Sequence, residues 1–370
     1  MNADSDNSEK TLLSIANIRA LLTPKDVETI LHDHYGLEAI KIKELNGYDD
    51  KNFLIKVGES KQNDFIHTIC ENGYVFKVIN SLDSKDTNFI KAQNAVLVHL
   101  AEKKVCCPIP TKTKKGDYFL LESLGSGIHI IRLLEFIPGK ILIETEITPL
   151  LCYESGSAVA DLHDKLKGFY HEGFKDRNTP WMLANVAQLK DFLFAVKDEK
   201  RKKLVTSIIE AFTAEVLPKS DKFERGIIHG DVNEQNILVE QRDGHWHVKG
   251  ILDFGDSHEG CLLYDVAVTM TYLIIEARNI DYGGYVLRGY NDVRKLSHEE
   301  LKLLKICICA RFCQSLVMGA FTISRDPNNT YVMRTSIAGW SILEELWNLP
   351  DHEILERWMK IGENFERSRI

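Results

Sequence analysis

The sequence predicts an α+β chain of two lobes, a sheet-rich N-terminal lobe followed by a mainly helical C-terminal lobe. Apolar residues alternate with period two through much of the first ~135 residues, the signature of half-buried strands. After Gly139 the pattern changes to helical spacing. The chain is 370 residues long, which at roughly 150 residues per domain suits two domains or one two-lobed unit.

The elements follow in order. Residues 1–22 form a weakly structured N-terminal segment, with a short helix expected over 12–22. Thr23 and Pro24 supply an N-cap and a first-turn proline, and a helix should run to about Gly36. Ile40 and Ile42 then alternate with Lys41 and Lys43. The turn Asn46-Gly47 and the apolar run 53–57 complete a hairpin. A third strand, 73–80, is apolar apart from Lys77. A helix over 86–103 separates it from strands at 117–121 and 129–136, and Pro138-Gly139 ends the last of these. Residues 23–134 therefore read as a five-stranded antiparallel sheet with a helix inserted after its third strand, and 135–139 as a hinge. In 140–370, helices are expected over 148–166, 186–196 and 199–217, then a β-rich passage at 226–254, then helices to the end. A ligand is expected in the cleft between the two lobes.

Composition narrows the function. Apolar residues are 44% and charged residues 27% of the chain, an ordinary globular mix that excludes global disorder. The net charge of −8 argues against a nucleic-acid partner, yet it leaves room for a small phosphorylated ligand held by a local cluster of donors. The 8 cysteines lack the C-x2-C pairs of zinc sites and read as reduced, buried thiols. The first ten residues carry no apolar signal core. The apolar stretches 261–277 and 303–323 are interrupted by Asp265 and by Lys305, Arg311 and Gln314, so both read as buried helices, not membrane spans. A cytoplasmic, reducing location is expected.

The most informative segment begins at Ile227-Ile228-His229-Gly230-Asp231 and continues to Asn236-Ile237-Leu238-Val239. Downstream lies Gly250-Ile251-Leu252-Asp253-Phe254-Gly255-Asp256. The order H-x-D-x4-N, strand, D-F-G matches the catalytic loop and metal motif of kinases. Phosphoryl transfer needs mainly positioning and charge neutralisation. Asp231 can accept the proton of an attacking hydroxyl. Asn236 and Asp253 offer oxygens suited to Mg²⁺, and His229 braces the loop. Upstream, Val75 and Lys77 share one face of a strand. A lysine in an apolar strand is costly unless it meets an anion, here nucleotide phosphates, with Val75 against the base. Gly230 precedes the aspartate where many regulated protein kinases carry Arg, and no long activation segment fits before Tyr264-Asp265, so a small acceptor is favoured over a peptide. Asp265 reads as a structural aspartate fixing the catalytic loop.

These motifs, with Tyr48-Asp49-Asp50-Lys51-Asn52-Phe53, the run 132–139 and the run 310–318, make the chain resemble the aminoglycoside phosphotransferase and choline kinase superfamily, of protein-kinase-like fold. Within it, the chain is most similar to the hydroxylysine kinases. The resemblance implies Asp231 as catalytic base, Asn236 and Asp253 as Mg²⁺ ligands, Lys77 on the phosphates and the backbone of Glu135 to Ile137 at the purine. It also implies a nucleoside triphosphate donor, GTP by family habit, and 5-hydroxylysine as the hydroxylated acceptor. Tyr48 and Asn52 are expected to contact the nucleotide.

The chain departs from the family pattern in two places. The helix acid that usually pairs with the lysine falls at Gln93, which is neutral, and Asn46-Gly47-Tyr48-Asp49-Asp50 replaces a Gly-rich loop. For the acceptor, Asp256 and Glu259 could meet an ammonium group. Arg311 pairs either a substrate carboxylate or an internal acid, and Trp181 either lines the acceptor pocket or packs in the core. Another small amino alcohol or amino sugar as acceptor (an aminoglycoside, a choline-like alcohol, homoserine) and a nucleotide-binding pseudokinase scaffold stay open as alternatives.

Overall fold

The computed structural model describes residues 18–45, 47, 49–125, 127–175, 177–325 and 330–365, with backbone alone over 330–337. The helix expected over 12–22 lies largely outside the described residues. The chain divides into two compact units, the first ending at Pro138 and the second beginning at Gly139.

In the first unit, α1 (Pro24–Ile30) starts on a capping box. The Thr23 hydroxyl accepts from the Asp26 N–H, and the Asp26 carboxylate accepts from the Thr23 N–H. A π turn, Leu31–Tyr35, carries the helix to Gly36 at φ 62°. A Cβ there would lie 2.3 Å from the Gln62 carbonyl oxygen, so only glycine fits. The sheet contains β1 (Leu37–Leu45), β2 (Lys51–Lys61), β3 (Tyr74–Val78), β4 (Pro110–Thr111), β5 (Leu120–Ser123) and β6 (Ile128–Glu135), with α2 (Thr87–Glu102) between β3 and β4. Its order is β1-β2-β3-β6-β4, with β5 also on β6, all antiparallel. The sheet thus has six strands where five were expected. The extra strand, β4, spans two residues and contains a proline, too short to show any periodicity.

Register sorts this sheet into two faces. Phe53, Phe76 and Leu133 lie side by side across β2, β3 and β6. They join Val27, Leu31 and Tyr35 of the α1 region in a buried cluster. One residue away in each strand, Asn52, Lys77 and Arg132 form the neighbouring row. Alternation puts that row on the opposite face, away from the aromatic cluster.

In the second unit, β7 (Lys140–Ile141) pairs with β9 (Ile237–Arg242), which pairs with β10 (His245–Ile251). Separately, β8 (Arg225–Ile228) pairs with β11 (His258–Cys261). The helices are α3 (Pro149–Lys165), α4 (Glu199–Ala211), α5 (Leu262–Ala277), α6 (Tyr282–Val293), α7 (His298–Arg325), α8 (Thr330–Asn348) and α9 (Asp351–Asn364). The helix expected over 186–196 is instead a 3₁₀ segment, Leu183–Ala195. After α4 the chain widens into a π turn, Phe212–Val216, and then tightens into the proline-containing 3₁₀ turn Leu217–Lys222. Helix α7 is long and apolar enough to cross a membrane, with mean hydropathy 1.7, but 83% of that apolar window is buried inside the protein. It is a core helix. Helices α3 and α6 touch through glycines. A Cβ on Gly156 would sit 2.0 Å from the Val286 oxygen, and one on Gly289 would sit 1.8 Å from the Tyr153 oxygen.

Candidate active site

In the second unit, the loop between β8 and β9 carries Asp231. Asp265, fully buried on the first turn of α5, fixes that loop by accepting from the N–H groups of His229 and Gly230, each at 2.7 Å. It also accepts from His163 Nε2 at 3.1 Å, and the other nitrogen of that ring lies 3.0 Å from the Tyr290 hydroxyl. Burial alone would raise the Asp265 pKa, but these donors and the nearby histidines hold it below the ordinary aspartate range. His229 donates through Nε2 to the Leu252 carbonyl at 2.9 Å and accepts the Asp231 N–H at Nδ1. Its ring meets Phe254 edge-on, with centroids 4.7 Å apart. His229 therefore ties the loop to the segment that leads from the end of β10 to Asp253.

Three side chains address the Asp231 carboxylate. Arg311 Nη2, from the middle of α7, donates to Oδ1 at 2.6 Å. The amides of Asn233 and Asn236 donate to Oδ2 at 2.8 and 3.1 Å. Arg311 is almost fully buried, whereas the Asp231 side chain keeps 22% of its surface open. The guanidinium lies over the rings of Trp181 and Tyr272, 5.4 and 5.3 Å from their centroids. Its Nη1 donates to the Trp181 carbonyl at 3.1 Å. Of the two readings of Arg311, the structure holds the internal ion pair, and its partner is Asp231. Burial pushes the Asp231 pKa up, Arg311 pulls it back, and the like charges of Asp256 and Glu234 push it further up. The net direction is upward.

Asp253 is exposed and sits at φ 55°, a left-handed backbone that non-glycine residues rarely adopt. Its carboxylate accepts from the Gly255 N–H at 3.2 Å and caps the turn Phe254–Asp256. Asp256 is half-buried, within electrostatic reach of both Asp231 and Arg311. Glu259 stands apart. On β11 it alternates with buried His258 and so faces solvent, and its carboxylate lies 3.9 Å from Arg225. The second unit thus gathers Asp231, Asn236, Arg311 and Trp181 by contact and Asp256 by charge, but not Glu259.

In the first unit, the Lys77 ammonium lies 3.3 Å from the Asp50 carboxylate, and both side chains are largely buried. Asn52 is the direct cross-strand neighbour of Lys77, and half-buried Val75 shares its strand face. Tyr48 lies outside the described residues. The Glu135 N–H donates to the Ile109 carbonyl and the Phe136 N–H to the Gly73 carbonyl. Ile137, next along the chain, is half-buried. Burial raises the Glu135 pKa. Sequence reasoning missed Asp50, Asn233 and Tyr272. Asp50 comes from a turn and gave no spacing signal; its nearness to Lys77 follows from the register that sets Asn52 opposite Lys77. Tyr272 reaches Arg311 only through helix packing and gives no sequence signal.

The model of the phosphotransferase enzyme family matches residues 42–302. The hydroxylysine kinase of Mus musculus is 31% identical, with the match covering 95% of this chain and 96% of that protein. That of Xenopus laevis is 32% identical over 96% and 98%. Among solved structures, an amicoumacin kinase in complex with AMP-PNP and Ca²⁺ superposes with a TM-score of 0.65 at 12% identity, covering 96% of this chain and 100% of that one. That likeness carries the kinase-like fold. The chain belongs to the phosphotransferase enzyme family and is a small-molecule kinase, a phosphotransferase with an alcohol group as acceptor.

Proposed function

We propose that this kinase phosphorylates the side-chain hydroxyl of 5-hydroxylysine, with GTP as donor. The observation that carries the chemistry is the Asp231 carboxylate, held by Arg311, Asn233 and Asn236 yet still open on one side. A carboxylate fixed in this way can take the proton of a hydroxyl as its oxygen attacks the γ-phosphorus. Choice of acceptor and donor rests on the likeness to hydroxylysine kinases along nearly the whole chain.

In this reading each site residue takes a role. Lys77 binds nucleotide phosphates, with Asn52 beside it and Val75 against the base. The backbone at Glu135 and Ile137 meets the purine. Asp256 attracts an acceptor ammonium group, and Trp181 walls the aliphatic chain. Asn236 and Asp253 fit a Mg²⁺ ion. Asn236 turns its amide nitrogen to the Asp231 carbonyl and carboxylate, which leaves its amide oxygen available, and the Asp253 carboxylate is exposed. Among the described residues no three His, Cys, Asp or Glu side chains cluster to hold a metal. Two oxygen ligands are what Mg²⁺ takes from a protein when phosphates and water complete its shell. When bound, the ion would neutralise phosphate charge. All eight cysteines are free thiols, which supports a cytoplasmic setting.

Asp231→Asn tests the reading. It should lower turnover by about three orders of magnitude, in line with loss of a catalytic base, while nucleotide binding by titration calorimetry survives. Unchanged turnover would remove Asp231 from the chemistry.

A further inference from the structure

We propose that Asp50, in the turn between β1 and β2, is the carboxylate that positions Lys77 for the nucleotide phosphates. This rests on the reading of Lys77 as the phosphate-binding lysine. The position where kinases usually carry the pairing acid, on the helix inserted in the sheet lobe, is Gln93 of α2, which is buried and cannot neutralise an ammonium group. Lys91, close by on the same helix, has the wrong sign. Asp50 Oδ2 lies 3.3 Å from Lys77 Nζ, with 14% and 11% of the two side chains exposed. At that burial, the pair is screened by salt much less than one at the surface, and removing one partner leaves the other charge poorly compensated.

Asp50 is itself held. Its Oδ1 accepts from the Asn80 N–H at 2.9 Å and from the Asn80 side-chain amide at 3.3 Å. Asn80 is buried, and its Oδ1 in turn accepts the N–H groups of Leu82 and Asp83 at 3.1 and 3.0 Å. So Asp50 is tied to the end of β3, the strand that carries Lys77. The turn also closes on itself at Gly47, where a Cβ would meet the Asp50 carbonyl at 2.5 Å and the Asn52 amide at 2.9 Å. The turn that stands in for a Gly-rich loop thus also supplies the counter-charge of the lysine, and the two are oriented as one body. The lysine needs no acid from α2.

A double-mutant cycle tests this, with Asp50→Asn, Lys77→Met and the pair, measuring kcat and KM for the nucleotide. Asp50→Asn keeps an Oδ1 acceptor for Asn80, so the turn is retained, and its melting temperature is compared with the parent. We expect Asp50→Asn to lower kcat/KM for the nucleotide by about 30-fold, Lys77→Met to lower it by at least as much, and the double variant to match Lys77→Met alone. Asp50→Glu should recover most of the activity. Losses that multiply in the double variant would mean Asp50 supports only the turn, and would overturn the proposal. So would an Asp50→Asn variant with parental kinetics while Lys77→Met is crippled. A Lys77→Met variant with parental kinetics would instead overturn the reading of the lysine, and this inference with it.

Discussion

Asp231 sits among one cation, two amide donors and two further acids, and that neighbourhood sets its pH behaviour. Burial and the charges of Asp256 and Glu234 outweigh the pull of Arg311, so its pKa lies above the ordinary aspartate value. A base must be deprotonated to act, so kcat/KM should fall as pH drops through that raised pKa, at a higher pH than a free aspartate would give. Asp256→Asn removes one like charge and should shift the limb to lower pH. A pH–rate profile of both proteins checks this, and a limb that stays put or moves up contradicts it. Asp265 works differently. It never meets a substrate in this account, yet it satisfies two loop N–H groups and a buried histidine. Asp265→Asn should cost about 3 kcal/mol, because a buried charged hydrogen-bond partner is lost and donors are left unmatched. Urea unfolding measures it. At this scale the sequence announced Asp231, Asn236 and Asp253 through fixed spacing. It announced Arg311 only as a charge needing a partner, since the partner lies 80 residues away in the chain.

Among the elements, the crossing of α3 and α6 is tightly constrained. Gly289 places its Cα so close to the Tyr153 carbonyl that a methyl group would overlap it. Backbone on both sides cannot yield as a flexible side chain would. Gly289→Ala should therefore destabilise the second unit by about 2–4 kcal/mol, the cost of overpacking a rigid site. The folded fraction should keep its kcat. Thermal unfolding with parallel activity assays tests this, and an unchanged melting temperature contradicts it. Elements marked by strong periodicity and caps were legible: α1 behind Thr23-Pro24, the hairpin of β1 and β2, and β3 with Lys77. Elements made by tertiary context were not. Two-residue β4 exists only because β6 offers it an edge. The segment Leu183–Ala195 has a helical composition, but it winds as a 3₁₀ helix. Its preceding backbone is gripped by α7, where Gln314 donates to the Pro180 and Met182 carbonyls at 2.8 and 2.9 Å.

For the whole molecule, buried titratable groups make stability depend on pH, with opposing signs. Asp265 has a depressed pKa when folded, so its contribution is present at neutral pH and is lost as pH falls through that folded value. Burial depresses His258 below its ordinary 6.5. The unfolded chain therefore takes up that proton first, and stability declines as pH drops from about 6.5. Asp231 has the opposite sign: its folded pKa is raised, so the folded chain holds that proton to higher pH and its contribution grows as pH falls from neutrality. Asp231→Asn removes that opposing contribution, so the variant's urea midpoint should fall more steeply than the parent's from pH 7 to pH 5, and an equal or shallower fall contradicts the assignment. The fold class was legible because two patterns, period two and then helical, divide the chain, and the kinase motifs fall where strands and loops must be. The pairing of Lys77 was not legible, because the acid comes from a turn and no helix spacing points to it. The central claim is the transfer of a phosphoryl group to a small hydroxylated amino acid. The most direct measurement is diphosphate release by the purified protein with Mg²⁺, GTP or ATP, and a panel of acceptors headed by 5-hydroxylysine, beside Asp231→Asn. The account predicts acceptor-dependent release that is fastest with 5-hydroxylysine and GTP and lost in the variant. Release with no acceptor preference, or none with any acceptor despite Mg²⁺-dependent nucleotide binding, would contradict it.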